Sequence, residues 1–283
     1  ASITCSPSPA ENYTIRLNNA SNIILRNLIL TTSGFTNFES NYGRVIDING
    51  ACSNISIQDN LIIGYTDTDL YMDENSVIYC RNSPSGNIEI SGNRILHGVW
   101  SILIEGSNLT SAPLSNLVIN KNHLEGFYYW GMELKYLDNP VITGNVLISP
   151  ENIRTFTGGI SLEFTRNSFD ISGNQLIMSP TDMTVYGIQL GEINLVQSNV
   201  GYIRNNFIAI HGDQTNNYAL YIYKMDKSRI YNNSIHIYGT PGEYSSCASF
   251  GSGDDPVWGY DNEFKCNILS NEAGGYCMTY GDD

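Results

Sequence analysis

Residues Asn87 to Leu96 read Asn-Ile-Glu-Ile-Ser-Gly-Asn-Arg-Ile-Leu, and similar ten-residue stretches return along the whole chain. The most constant member is an asparagine, here called the anchor, which in this stretch is Asn93. A repeat of roughly 30 residues that holds two or three short strands is typical of a stacked solenoid. Nine anchors can be aligned, at intervals of 23 to 34 residues: Asn27, Asn60, Asn93, Asn122, Asn145, Asn174, Asn206, Asn233 and Asn267.

Two apolar columns accompany the anchors. The residue three before each anchor is Ile or Phe, beginning at Ile24, and the residue two after it is Ile or Leu, beginning at Ile29. Side chains on one face of a strand are an even number of residues apart. These columns are five apart, so the chain must bend once between them, at the anchor. The sequence therefore predicts Ile and Leu ladders inside each coil and a ladder of hydrogen-bonded Asn at one corner.

This pattern resembles the right-handed parallel β-helix of the pectin-lyase-like superfamily, and it extends from about Ile15 to Tyr280. The resemblance implies an all-β fold, a single-stranded right-handed parallel β-helix of about nine coils with Ile/Leu and Asn ladders. Residues 1–14 are expected to cover the N-terminal end, and residues 15–283 to form one β-helix domain. Because no capping segment follows Tyr280, we expect the C-terminal end to continue in, or contact, another molecule.

The resemblance does not identify an activity, because the superfamily includes lyases, hydrolases, epimerases, phage tailspikes and adhesins. Its polysaccharide lyases typically use a Ca²⁺-binding acidic cluster beside an Arg or Lys base, and this arrangement does not map onto the sequence. The pectinase-type Asp motifs, with their Gly-His and Arg-x-Lys partners, are missing as well. These differences count against both subfamilies and leave divergent carbohydrate enzymes open.

The composition indicates a secreted protein, extracellular or at a cell surface. Only 15% of the residues are charged, and the net charge of -14 argues against partners such as nucleic acid and anionic membranes. No apolar run of about 18 residues occurs, so we expect no membrane insertion. Cys247 and Cys277 are 30 residues apart, about one coil, and could stack and form a disulfide, whereas Cys80 is expected to be a core thiol.

Candidate catalytic residues come from the second strand of each coil, whose outward side chains should form columns. Alignment stacks Glu105, Lys135 and Glu163 at the ~4.8 Å inter-strand spacing, with Glu133 and Arg81 beside them. Two carboxylates about two strand spacings apart suit glycoside hydrolysis with inversion, and Lys135 could act as a base if its pKa were lowered. The alternative is a solvated charge ladder in which Lys135 neutralises two glutamates.

Three further features suggest binding or modification. Tyr128, Tyr129 and Trp130 could form a carbohydrate-binding platform, or some of these rings could fill a corner of the coil. A loop rich in Asp offers hard oxygen ligands for Ca²⁺, although such loops are usually only solvated. The candidate Ca²⁺ ligands are Asp67, Asp69 and Asp73, and the glycosylation sequons, relevant only in a source that uses them, are at Asn12, Asn19, Asn54, Asn108 and Asn232.

Three functional hypotheses follow. The first is a secreted structural or adhesive β-helix module that touches glycans and could associate end to end into filaments. The second is a carbohydrate-active enzyme, a lyase, hydrolase or epimerase, that acts on the face bearing the glutamates. The third is a trimeric phage tailspike-like module. The neutral, Tyr- and Asn-rich composition and the missing catalytic motifs favour the first.

Overall fold

The computed structural model describes residues 1–8, 10–33, 35–37, 40–66, 73–81, 86–107, 113–149, 156–179, 184–193, 195, 199–213, 216–240, 244–251 and 261–280. Over these residues the chain is a right-handed parallel β-helix of about eight coils, one fewer than the anchors predict. The described part contains one short 3-10 helix, Asp73–Asn75, and none of its helical structure has the length and apolar character needed to cross a membrane.

Each complete coil contributes one strand to each of three faces, and strands of successive coils pair in parallel. Face 1 ends at the anchors and consists of Ser21–Arg26, Ser53–Gln58, Gly86–Ser91, Leu114–Asn120, Val141–Thr143, Phe169–Ser172, Gly201–Arg204, Ser228–Tyr231 and Glu263–Lys265. Face 2 follows the anchors and consists of Ser2–Cys5, Ile29–Thr32, Leu61–Ile63, Arg94–Leu96, His123–Glu125, Val146–Ile148, Gln175–Met178, Phe207–Asp213, Ser234–Thr240 and Ile268–Asn271.

Face 3 completes the coil and holds the longest strands. It joins face 1 in one 19-stranded sheet, because Leu114 pairs with Leu137 across the corner, whereas face 2 is a separate ten-stranded sheet. A small antiparallel hairpin, Phe35–Asn37 with Ser40–Tyr42, lies apart from the faces. The strands of face 3 are Ile15–Asn18, Ile46–Asn49, Ile78–Arg81, Trp100–Glu105, Trp130–Asp138, Thr157–Arg166, Val185–Ile193, Asn217–Met225, Ser246–Gly251 and Tyr276–Tyr280.

The anchor ladder is formed by the eight asparagines from Asn60 to Asn267. The Asn93 amide donates to Oδ1 of Asn122 at 2.9 Å and to the carbonyl oxygen of Ile57 at 2.8 Å. The same pattern of amide-to-amide bonds, 2.9–3.0 Å long, joins each anchor to the next. Because these amides lie in the corner of an apolar core, pairing both the donor and the acceptor groups avoids the cost of burying unbonded polar atoms.

The first coil differs from the prediction by one residue. Leu25 pairs with Ile57 and Leu30 with Ile62, so Leu28, and not Asn27, occupies the anchor position. The backbone N–H of Leu28 donates to Oδ1 of Asn60 and begins the ladder. Since a shift of one residue turns every strand side chain to the opposite face, the predicted inward residues Ile24 and Ile29 point outward and are 68% and 43% exposed.

The two ends of the stack are covered differently. Ser2–Cys5 adds a strand beside Ile29–Thr32, with Ile3 opposite Leu30, which is fully buried. That residues 1–14 as a whole cover this end stays a prediction. At the other end, Met278 and Tyr280 follow the inward residues Ala248 and Phe250 in register but are 55% and 72% exposed.

All six cysteines lie in the described part of the chain, and no disulfide joins any two of them there. Cys247 and Cys277 do stack, because their strands pair with Ser246 opposite Tyr276 and Ala248 opposite Met278. The predicted disulfide is nevertheless not formed. Each thiol instead points to a backbone carbonyl oxygen, Cys247 Sγ to that of Ser270 at 3.4 Å and Cys277 Sγ to that of Leu269 at 3.9 Å. Cys80 is a fully buried core thiol, as predicted.

The sequon asparagines differ in accessibility. Asn12 is buried, and its amide donates to the carbonyl oxygen of Glu74 at 2.9 Å while its Oδ1 accepts the N–H of Arg44. A glycan could not be attached there without breaking these bonds. Asn19, Asn54 and Asn232 are exposed, and Asn108 lies outside the described residues.

Candidate functional site

A cleft of about 530 Å³ lies on the outer surface of face 3. The strand register that builds it is the predicted one: Arg81 is opposite Glu105, Glu105 opposite Lys135, and Lys135 opposite Glu163. Glu133 lies two residues away from Lys135 on the same strand and faces the same side. The residues that line the cleft are Asp73, Glu74, Arg81, Trp100, Leu103, Glu105, Glu133, Lys135, Tyr136 and Phe164.

The cations of this surface are all bound by carboxylates. Arg81 Nε lies 2.6 Å from Oε2 of Glu105. Lys135 Nζ lies 2.6 Å from Oε1 of Glu133 and 3.5 Å from Oε2 of Glu163. The structure thus divides the predicted column into two groups, since Lys135 contacts Glu133 and Glu163 and leaves Glu105 to Arg81.

Lys135 does not fit the role of a base. Burial alone would lower the pKa of Lys135, but the negative charges of Glu133 and Glu163 outweigh burial and raise the pKa above its usual value. An ammonium group held in this way keeps its proton at neutral pH. The condition for the predicted base role, a lowered pKa, is therefore not met, and Lys135 acts as a fixed positive charge.

The 3-10 helix Asp73–Asn75 forms one wall of the cleft. Asp73 Oδ2 accepts hydrogen bonds from Arg81 Nη1 at 3.0 Å and from the Tyr79 hydroxyl at 3.1 Å. Burial raises the pKa of Glu74, and a hydrogen bond with Asp73 raises it further. The pKa of Asp73 is lowered: burial opposes this, but the bond with Glu74 and the charge of Arg44 prevail. Of the two carboxyls, Asp73 therefore loses its proton at the lower pH and Glu74 at the higher pH.

The predicted Ca²⁺ site finds no support at Asp73, because two arginines already surround its carboxylate. Asp67 and Asp69 lie outside the described residues. Among the residues that are described, no group of three or more His, Cys, Asp or Glu side chains is arranged to hold a metal ion.

Tyr136 and Phe164 form the aromatic wall of the cleft. Their rings stack with centroids 4.9 Å apart and planes inclined by 15°. Both residues have positive φ, 55° and 51°, which is unusual for bulky side chains. The sequence reasoning missed them, although each directly follows a member of the charged column, Lys135 and Glu163, and that spacing could have identified them.

The predicted aromatic platform is mostly internal. Trp130 is only 4% exposed, and its indole lies over Gly158, which has no side chain to obstruct it. Tyr128 and Tyr129 are half-buried. Tyr129 belongs to a ridge of touching rings beside the cleft, in which each centroid lies 4.9–5.4 Å from the next: Trp100, Tyr129, Phe156, Tyr186 and Tyr218. Of the predicted platform, the tyrosines are therefore accessible and the indole is not.

A hydrogen bond ties the charged groups to these rings. Trp100 Nε1 donates to Oε2 of Glu133 at 2.5 Å. Glu163 Oε1 accepts a bond from Gln189 Nε2 at 3.1 Å. Both carboxylates are thus held in fixed positions, whereas Glu105 has Arg81 as its charged partner and lines the cleft.

Comparison with known proteins identifies no family and no activity for this chain. No family model matches the chain, and no curated protein matches it. Among solved structures, the chain is similar to the crystal structure of a hyperthermoactive exopolygalacturonase from Thermotoga maritima, with 12% sequence identity and a TM-score of 0.41 over 99% of this chain and 82% of that one. A likeness this distant carries no argument about activity or substrate.

Proposed function

We propose that this protein is an extracellular, adhesive β-helix module that binds glycans in the cleft of face 3. The observation that carries the proposal is that stacked aromatic rings and carboxylates line the same cleft. The stacked rings of Tyr136 and Phe164 form one wall, and the carboxylates of Glu105 and Glu133 line another.

This combination suits a sugar. Flat aromatic rings pack against the C–H face of a pyranose, and carboxylate oxygens accept charge-assisted hydrogen bonds from its hydroxyl groups. The cleft volume of about 530 Å³ lies within the usual range of ligand sites, roughly 300–1,000 Å³. The carboxylates are fixed before any ligand arrives, by Arg81 and Lys135, so binding would need little further ordering of side chains.

The test is a binding screen by isothermal titration calorimetry with tetrasaccharides of neutral, amino and uronic sugars. The informative variant is Tyr136→Ala combined with Phe164→Ala, which removes the aromatic wall. The matched control is Tyr202→Ala, because Tyr202 is a half-buried outward tyrosine on face 1, away from the cleft. We expect binding to weaken by about tenfold or more in the double variant and to be unchanged in the control. Absence of binding to every sugar class would overturn the proposal.

A second candidate function, glycoside hydrolysis, is favoured by one observation. Asp73 and Glu74 are adjacent carboxyls whose pKa values move in opposite directions within a cleft that also contains Glu105. Such separation distinguishes a proton donor from a carboxylate base. Incubation with a polysaccharide panel, followed by chain-length measurement, tests it. Cleavage that Glu74→Gln abolishes would support hydrolysis, and unchanged chain lengths across the panel would exclude it.

End-to-end association stays a prediction. The exposed Met278 and Tyr280 leave apolar surface at one end of the stack. If a second copy were stacked coaxially, its Leu28 would occupy the anchor position next to Asn267. Leucine has no side-chain acceptor for the Asn267 amide, so the asparagine ladder would not continue between the copies. Sedimentation velocity over a range of protein concentrations distinguishes a monomer from growing filaments.

A further inference from the structure

The charges that line the cleft determine which class of sugar it can bind favourably. Among the described residues, four carboxyl groups line it, those of Asp73, Glu74, Glu105 and Glu133, against two cations, Arg81 and Lys135, while Arg44 adds a positive charge 3.9 Å from Asp73. Outside the cleft, Glu163 adds a further carboxylate to Lys135. The whole chain carries a net charge of -14, so no distant positive field offsets this local excess.

Within the described residues, two cations line the cleft, and each of them already contacts two carboxylates. Arg81 contacts Asp73 at 3.0 Å and Glu105 at 2.6 Å. Lys135 contacts Glu133 at 2.6 Å and Glu163 at 3.5 Å. A uronic acid entering the cleft would have to displace one of these carboxylates before its own could be bound, and like charges in a partly buried site repel strongly.

A positively charged sugar, unlike a uronic acid, would meet a carboxylate that can still accept a hydrogen bond. Among the described residues, Arg81 is the cation that pairs with Glu105, so the Glu105 carboxylate keeps acceptor capacity for a second donor. Asp73 accepts a hydrogen bond from the same Arg81, and burial together with the bond to Asp73 raises the pKa of the neighbouring Glu74. An ammonium group bound in the cleft would donate a charge-assisted hydrogen bond to Glu105.

We propose that the cleft selects glycans with free amino groups, such as polymers of glucosamine, over their N-acetylated forms and over uronic acid polymers. This inference rests on the proposed glycan binding and names the class of sugar. The rings of Tyr136 and Phe164 would hold the pyranose face, and Glu105 would bind the ammonium group. The distinction from uronic acids follows from the paired cations, and the distinction from N-acetylated sugars follows from the loss of the charge.

Binding would also displace a proton. The groups that face Glu74 in the described structure are Asp73 on its own helix and Arg44, with Arg81 and Glu105 across the cleft. Adding a ligand cation would favour the ionised form of Glu74 and release its proton to solvent. Calorimetry in two buffers with different heats of ionisation measures that release, and Glu74→Gln should abolish it.

The experiment compares three tetrasaccharides at about pH 6, below the pKa of a free amino group: the glucosamine tetramer, the N-acetylglucosamine tetramer and tetragalacturonate. We expect the glucosamine tetramer to bind about tenfold or more tightly than the N-acetylated one, and tetragalacturonate to bind most weakly. Glu105→Gln should reduce the preference for the amino form. Glu125→Gln removes the same charge from face 2, where Glu125 pairs with Arg94, and should leave the preference unchanged.

Each outcome decides the inference. Equal binding of the amino and N-acetyl forms, or tighter binding of tetragalacturonate, overturns the selectivity while leaving glycan binding intact. An equal loss of preference in Glu105→Gln and Glu125→Gln shows that net charge alone attracts the ligand, and this overturns the assignment to the cleft. If none of the three tetramers binds, the selectivity is wrong, and the proposed function is wrong as well if no other sugar of the wider screen binds.

Discussion

Tyr136 and Phe164 stack across neighbouring coils, 4.9 Å between centroids, while both backbones stand in the left-handed region. That region brings Cβ close to the following carbonyl oxygen and costs roughly 1–2 kcal/mol for a non-glycine residue. The bend directly follows the charged residues Lys135 and Glu163, and it places both rings in the lining of the cleft. Conformational strain that the surrounding sheet maintains is common where a protein binds a ligand.

Comparing Phe164→Gly with Phe164→Ala distinguishes the effect of backbone strain from the effect of losing the aromatic ring. Glycine accepts positive φ without steric cost, whereas alanine retains the Cβ conflict. We expect the glycine variant to be more stable than the alanine variant by about 1 kcal/mol in urea unfolding. Both variants lose the stack with Tyr136, so both should weaken glycan binding equally. An alanine variant as stable as the glycine variant would show that no strain is stored there.

Asn145→Ala tests the contribution of the anchor ladder to stability. Asn145 is fully buried, its amide donates to Asn174 and to the carbonyl of Ile119, and its Oδ1 accepts two bonds from Asn122. Removing the side chain leaves several buried groups unbonded, at roughly 1–3 kcal/mol each. We expect a loss of about 3 kcal/mol or more by guanidinium unfolding.

The control for that loss is Asn49→Ala. Asn49 is exposed, and its amide donates to Oδ1 of Asn18 at 3.1 Å, so water can replace the bond. Its loss should therefore stay below about 1 kcal/mol. Similar losses for the two variants would mean that burial of the ladder does not strengthen it.

The sequence predicts the ladders because their rules are local. A buried Asn such as Asn93 must be bonded on both sides, and a repeat of fixed spacing supplies the partner. The same spacing misplaces Ile24 and Ile29, because Leu25 and Leu30 directly follow them and the apolar pattern therefore fits two registers. Exposure is harder to predict: Trp130 occupies an outward position, yet Gly158 leaves space for its indole and the neighbouring rings cover it.

The cysteines should differ sharply in reactivity. Burial, together with the neighbouring Cys277, raises the pKa of Cys247 to about 12, so its reactive thiolate form is scarce at neutral pH. Cys266 and Cys277 are exposed, and Cys52, Cys80 and Cys247 are buried. We expect iodoacetamide to label the exposed pair in the folded protein and the buried three only after unfolding, as read by peptide mass spectrometry. Fast labelling of Cys247 in the folded protein would contradict this placement.

Glu74→Gln should stabilise the protein at neutral pH. Because burial and the bond with Asp73 raise the pKa of Glu74 in the folded state, the folded protein binds this proton more tightly than the unfolded chain does. The stabilising contribution is complete below the unfolded pKa, about 4.3, and is lost as pH rises through the folded pKa. Glutamine keeps the hydrogen bond to Asp73 without needing that proton. The variant should therefore unfold at higher urea concentration at pH ~7 and approach wild type near pH ~3.

Glu125→Gln provides the opposite case for comparison. Hydrogen bonds from His123 and Arg94 lower the pKa of Glu125, so its stabilising contribution is present above the unfolded pKa and is lost as pH falls through the folded one. Glutamine cannot replace an ionised partner of Arg94, and this variant should be less stable than wild type at neutral pH. If both substitutions change the unfolding midpoint in the same direction at neutral pH, the proton does not reside on Glu74, and the account of the Asp73–Glu74 pair is wrong.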